Sequence, residues 1–145
     1  MQYEAELSSA IARLTPLREE LKAAIDADAE SYNAVMKAYK AAKETKASGE
    51  GDRTINAALR QATSVPLGVA ENAVEVARIA NQLKPISNPN MSSDLTTAIS
   101  LAGAALDGAL ANVAINLSSI NQDLPEDEAF VSQTQKRVEK LRVKD

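Results

Sequence analysis

A carboxylate stands where an apolar residue would be expected. Leu14, Leu17, Leu21, Ile25, Tyr32, Val35 and Tyr39 fall on one stripe of a long helix, and between Ile25 and Tyr32 that stripe passes through Asp28. Asp26 and Glu30 fall instead with Lys22, Asn33 and Lys37 on a solvated face. Burial disfavours the charged form of a carboxyl and would bring its protonation toward neutral pH, as a general acid–base residue requires. The competing explanation is structural: Asp28 caps or hydrogen-bonds a neighbouring helix in the core.

A second constellation lies in residues 88–117, NPNMSSDLTTAISLAGAALDGALANVAINL, a polar turn feeding an apolar helix rich in small residues. Asp94, Ala98, Leu101, Ala105, Gly108, Asn112 and Ile115 share one stripe, with Asn116 beside it. A buried polar group without a partner costs roughly 1–3 kcal/mol, so Asp94, Asn112 and Asn116 call for partners. Gly108 and the alanines admit either another backbone or a flat ligand. A tight helix–helix seam cross-linked by asparagines explains the same pattern. Asp107 falls on a different face with Gly103, Ala111 and Ala114, which suits a subunit interface.

Lys37, Lys40, Lys43 and Lys46 crowd the end of the first helix. Cations there complement the helix dipole; the functional alternative is an anchor for an anionic ligand tail. Glu71, Glu75 and Arg78 read as a solvated face of the second helix.

Composition narrows the chemistry. The 145 residues suit one domain, 1–145, with 45% apolar residues but only 3% aromatic ones, so Ala, Leu, Ile and Val must build the core. There is no Cys and no His, which argues against a zinc site and leaves acid–base work to Asp, Glu, Lys or Tyr. A net charge of −4 argues against a nucleic-acid partner. No run of eighteen apolar residues occurs, so no membrane span is expected. The start, MQYEAELSSAIARL, lacks the basic region of a signal peptide, and a cytoplasmic location is the expectation.

Helical periodicity dominates the chain. The spacing predicts helices over residues 2–45, bent near Pro16; 53–83, kinked or restarted at Pro66; 92–121, with Ser92 or Ser93 as N-cap; and 126–144. The loops KASGEGD, KPISNPN and QDLPED separate them. Long helices joined by short loops make antiparallel neighbours in a bundle.

Three blocks together, DADAESYNAVMKAYK at 26–40, VPLGVAEN at 65–72 and the segment 88–117, resemble the formiminotransferase-cyclodeaminase family. The resemblance implies an all-α antiparallel bundle of long helices acting on a tetrahydrofolate derivative. The implied activity is formiminotetrahydrofolate cyclodeaminase, or methenyltetrahydrofolate cyclohydrolase on the same scaffold. It implies no metal or redox cofactor, the folate being the substrate, and a homodimer. Asp28 matches the second Asp of the family's DADA motif, which implies a proton donor and acceptor. Ser93, Asp94, Asn112 and Asn116 match recurrent features of its core, implying substrate contacts. For a folate, the anionic tail that Lys37, Lys40 and Lys43 would anchor is its glutamate portion.

Family members usually open with a glycine-rich segment and a long apolar first helix. The five glycines here, at 49, 51, 68, 103 and 108, form no run. A chain without that helix is expected to leave apolar stripes uncovered. A companion formiminotransferase domain is likewise not recognisable, which suggests a stand-alone bacterial-type protein. The competing class is a catalytically inactive helical bundle serving as an interaction protein.

Overall fold

The computed structural model describes residues 3–45 and 50–142. Four long helices, α1 (Glu4–Thr45), α2 (Glu50–Leu83), α3 (Ser92–Ser119) and α4 (Pro125–Arg142), carry the described chain, and a single 3-10 turn, Pro89–Met91, leads into α3. Gln2, Lys46, Gly49 and Lys144, used above to bound or punctuate the helices, lie outside the described residues. The expected all-α bundle is observed, and its helices alternate in direction.

α2 is the axis. α1 and α3 pack along it on either side, and α4 makes a smaller contact. Cross-helix partners fix the directions: Arg13 meets Glu75, and Asn72 Nδ2 donates to Glu20 Oε2 at 3.0 Å, so α1 and α2 are antiparallel. Asn116 of α3 meets Ala62 of α2. Asp127 and Arg137 of α4 meet Arg60 and Glu71, so α4 runs in the same sense as α2.

With few aromatics, the helices must approach closely to exclude water. Ala10, Ala38, Ala62, Ala70, Ala73, Ala80, Ala102 and Ala109 are all buried. A Cβ on Gly51 would stand 3.0 Å from the Ala42 Cβ, so this glycine permits the contact where α1 and α2 meet. Leu59, Leu67, Val113, Leu117, Ile120 and Val131 form the main core cluster, with Val35 and Phe130 packed against it. Buried Thr63 donates its hydroxyl to the Leu59 carbonyl within its own helix.

Proline does not interrupt α2, which is continuous through Pro66. Pro66 has no N–H to give to the carbonyl four residues earlier, that of Ala62. Asn116 Nδ2 donates to that carbonyl from α3 at 3.0 Å. The helix does not restart at Pro66, and the neighbouring helix supplies the lost donor. α1 is likewise continuous through Pro16.

Two polar expectations are corrected. α3 starts without a serine cap: the capping position is Met91, with no side-chain bond. The side chain of Asn88 instead accepts from the Asn90 N–H at 3.0 Å, shaping the turn before it. Glu71, Glu75 and Arg78 are bridging groups. Arg137 Nε and Nη2 donate to the two Glu71 oxygens at 2.9 and 2.8 Å, and Glu75 accepts from both Arg13 and Arg78. Exposed pairs contribute about 0–1 kcal/mol, so these set register more than stability.

The segment Pro89–Ser119 also departs from the run-length expectation. Its best eighteen-residue window has a mean hydropathy of 1.6, long and apolar enough to cross a membrane by length and composition. Ala, Leu, Ile and Val raise that mean, while Gly103, Asp107, Gly108 and Asn112 keep the apolar run broken. In the fold, Ala102, Ala109, Leu110, Val113 and Leu117 bury one side of this helix.

At the start of α4, Asp127 is wholly buried. Its carboxylate pairs with Arg60 Nη1 and accepts from Asn56 Nδ2 at 2.8 Å. Asn56 also donates to the Asn121 carbonyl at 2.7 Å and accepts from the Asn121 N–H at 3.1 Å. One buried asparagine thereby holds both the α3–α4 connection and the first turn of α4.

Removing the Asp127 carboxylate takes the acceptor from the Asn56 amide and the partner from Arg60, which is itself partly exposed, and hydrogen bonds to a charged group contribute about 1.5–3 kcal/mol. Asp127→Ala is expected to lower stability by that amount in urea melts, and a loss well below it would mean the network does not anchor α4. Asn116→Ala strands the Ala62 carbonyl and should cost about 1–3 kcal/mol. Adding Pro66→Ala restores an N–H to that carbonyl, so the double variant should regain most of the loss. Simple additivity of the two changes would refute the account.

Candidate active site

α1 and α3 flank α2 without closing over it, which leaves a trough on the side of α2 turned from α4. A section of about 380 Å³ is walled on one side by Leu21, Ala24, Ile25 and Asp28 of α1, and on the other by Ala105, Gly108, Ala109 and Asn112 of α3. Its floor is Val65, Pro66 and Val69 of α2. The volume lies within the range of small-molecule sites, roughly 300–1,000 Å³. Polar groups are few and opposed: Asp28 on one wall, Asn112 on the other. Toward the start of α1 the trough continues past Leu21 and Ile25 into a hollow lined by Ile11, Leu14, Arg18, Lys22 and Val76.

The burial expected for Asp28 is not found. Asp28 is exposed, as are Ile25 at 71% and Tyr32 at 63%. The stripe is real, but only part of it is covered: Leu14, Leu17, Leu21 and Val35 are half-buried, and the face against α2 centres on Ala10, Ser31 and Ala38. Ser31 donates its hydroxyl to the Asp28 carbonyl at 2.9 Å, leaving the Asp28 side chain to the trough. Asp26, Glu30, Lys22, Asn33 and Lys37 are exposed, as their spacing indicates.

The remaining sequence-derived residues do not gather at one place. Asn112 joins Asp28 in the trough. Asp94 lines a separate hollow of about 470 Å³, with Leu7, Leu83, Ile86, Ser87, Asn88 and Met91 among its walls. Eighteen residues of helix, about 27 Å, separate Asp94 from Asn112, so within one chain they do not contact a common ring. Ser93 is exposed in the first turn of α3. Asn116 is half-buried and committed to the Ala62 carbonyl. Lys37, Lys40 and Lys43 are exposed near the end of α1, and Asp107 is exposed on α3.

Sequence reading missed Asp127, Arg60 and Asn56, the most strongly bonded polar set in the described structure. Among described residues, no group of three or more acidic side chains converges as a metal site would require. Large apolar groups stand in water on both flanking helices: Ile11, Ile25, Tyr32 and Met36 on α1, and Leu101 and Ile115 on α3.

Comparison with known proteins converges on one family. The family model described as formiminotransferase-cyclodeaminase matches residues 1–140. The chain is 32% identical to the formimidoyltransferase-cyclodeaminase of Sus scrofa, over 97% of this chain and 26% of that protein. It is also 32% identical to the methenyltetrahydrofolate cyclohydrolase of Methylorubrum extorquens, over 97% of this chain and 66% of that protein. The chain thus spans about a quarter of the pig relative and just under two thirds of the bacterial one. The crystal structure of formiminotetrahydrofolate cyclodeaminase from Thermotoga maritima superposes with a TM-score of 0.72 at 27% identity, covering 97% of this chain and 71% of that one. A family model that matches nearly the whole chain, together with these relatives, shows that the chain belongs to the formiminotransferase-cyclodeaminase family.

Proposed function

We propose that this chain is a folate-dependent one-carbon enzyme that converts 5-formiminotetrahydrofolate to 5,10-methenyltetrahydrofolate and ammonia. The observation that carries the reading is the opposition of Asp28 and Asn112 across one apolar-floored trough. The formimino group reacts in its protonated, positively charged form: N10 of the substrate attacks its carbon and forms a tetrahedral centre between N5, N10 and the former imino nitrogen, now an amine. The proton of N10 passes to the Asp28 carboxylate and from there to the departing nitrogen. The carbon–nitrogen bond then breaks, ammonia leaves, and the methenyl bridge retains the positive charge. Asn112 offers both a donor and acceptors to the polar edge of the ring. Val65, Pro66 and Val69 present apolar surface beneath it.

The bacterial cyclohydrolase relative favours a second reaction in the same trough. Water adds to the methenyl carbon and Asp28 takes one of its protons; the second passes from the resulting hydroxyl to N5 as the bond from that carbon to N5 opens, giving a formyl group on N10. The same carboxylate serves both reactions, because each transfers a proton beside the same carbon.

The lysines at the end of α1 suit the glutamate tail. Lys40 and Lys43 lie twelve and fifteen residues beyond Asp28, about 18 and 22 Å along the helix. Lys37 is turned about 180° from Asp28 around the helix axis, which leaves Lys40 and Lys43 better placed.

Near-ultraviolet absorbance distinguishes the two reactions directly. The methenyl bridge should appear from formiminotetrahydrofolate, or disappear from methenyltetrahydrofolate. Asp28→Asn should lower kcat by about 10²–10⁴-fold, the range for a lost general acid–base. Folded wild-type protein inactive in both directions would instead support the interaction-protein reading. Lys40→Gln with Lys43→Gln should weaken polyglutamyl folates more than monoglutamyl ones, and equal affinities would remove the lysines from the site.

A further inference from the structure

Three glycines sit inside long helices at points where the fold does not demand them. A Cβ on Gly68, Gly103 or Gly108 would meet no atom within 4 Å. Glycine in a helix interior is less stable than alanine, through the backbone freedom it loses on folding. Gly51 differs, since its Cβ would press on Ala42. Of the three unexplained positions, Gly108 lines the trough beside Asp28 and Asn112. Gly103, five residues earlier on the same helix, is rotated about 140° away from it.

Ala105, Gly108 and Asn112 fall at three- and four-residue steps, so they stack along one face of α3. That wall is nearly bare backbone at Gly108, with the Asn112 amide one turn further on. The facing wall carries Leu21, Ile25 and Asp28. We propose that Gly108 sets the clearance of the trough for a planar bicyclic ring. The ring lies flat along the α3 shelf, its hydrogen-bonding edge at Asn112 and its reacting carbon toward Asp28. A side chain at 108 would stand between the ring and the shelf and push it off the opposed pair. Gly108 is thus a specificity-determining residue whose cost to the helix is offset in ligand binding. This inference rests on the folate reading above.

Gly108→Ala and Gly103→Ala are compared with wild type by thermal melting, sedimentation and calorimetric titration with tetrahydrofolate. Both variants should melt at or above the wild-type temperature. Gly103→Ala should bind as wild type does, whereas Gly108→Ala should bind about tenfold more weakly, the lower end of what one methylene does in a fitted pocket. Gly108→Leu should weaken binding further. If wild type binds and Gly108→Ala binds equally well, the clearance role is wrong while the folate reading stands. If wild type binds no folate, the folate reading itself fails and this inference with it. A change of oligomeric state on Gly108→Ala, with folate affinity kept, would assign the space to a second copy and overturn the proposal.

Discussion

α2 is packed on by every other long helix, and the remainder of the architecture follows from how it is covered. Its buried set, from Asn56 and Leu59 through Leu67, Ala70 and Ala73 to Ile79 and Ala80, runs the length of the helix. With so few aromatic side chains, that surface is covered only by bringing other helices close, at the 8–10 Å separations set by their contact residues. Ala42 over Gly51, and Ala109 and Leu110 over Ala70, show how small residues do this. Close approach in turn demands that every polar group trapped at the contact find a partner. Asn116 answers the Ala62 carbonyl, and Asn56 answers Asp127 and the Asn121 backbone.

The same geometry leaves the trough open. α1 and α3 each give α2 one face and keep a second apolar face in water, where Ile25, Leu101 and Ile115 are more than 60% exposed. Contiguous apolar surface of this kind generally marks a place where something binds. What distinguishes the middle of the trough from the rest is chemistry. Asp28 and Asn112 are the polar side chains of its central section, and they come from helices that meet only across α2.

Local signals suffice for what local physics controls. The proline–asparagine cluster KPISNPN ends α2 at Leu83, as the loop composition indicates, whereas α4 already begins at Pro125, within QDLPED. Asp28 and Asn112 each stand out as polar residues on apolar stripes with helical spacing, but that the two helices set them across one trough is read only from the fold. Properties set by distant partners are not legible in the sequence. Pro66 reads as a break because the donor that offsets it comes from a residue fifty positions later. Asp127 reads as an ordinary acid in a first turn, complementary to the helix dipole, because nothing near it shows that Arg60 and Asn56 will enclose it. Asp28 reads as buried because periodicity shows which side of a helix is apolar, not whether another element covers it. Asp94 and Asn112 share a stripe, yet a stripe of eighteen residues is far longer than any ring.

An exposed carboxylate beside an apolar floor has a consequence for the proposed reaction. In the free chain, water solvates Asp28 and weakens its interactions with any other charge. A flat ring seated over Val65 and Val69 displaces that water, so the substrate itself creates the drier surroundings in which proton transfer is effective. Binding energy gathered at the ring and at its anionic tail is thereby converted into activation of the reacting centre. The shape of the α3 wall then matters as much as the identity of the acid. A ring held off the shelf would leave water between itself and Asp28, and the proton would pass to solvent instead of to the departing nitrogen. The proposed clearance at Gly108 and the proposed acid–base role of Asp28 are in this sense one property of the trough, contributed by two helices that both pack on α2.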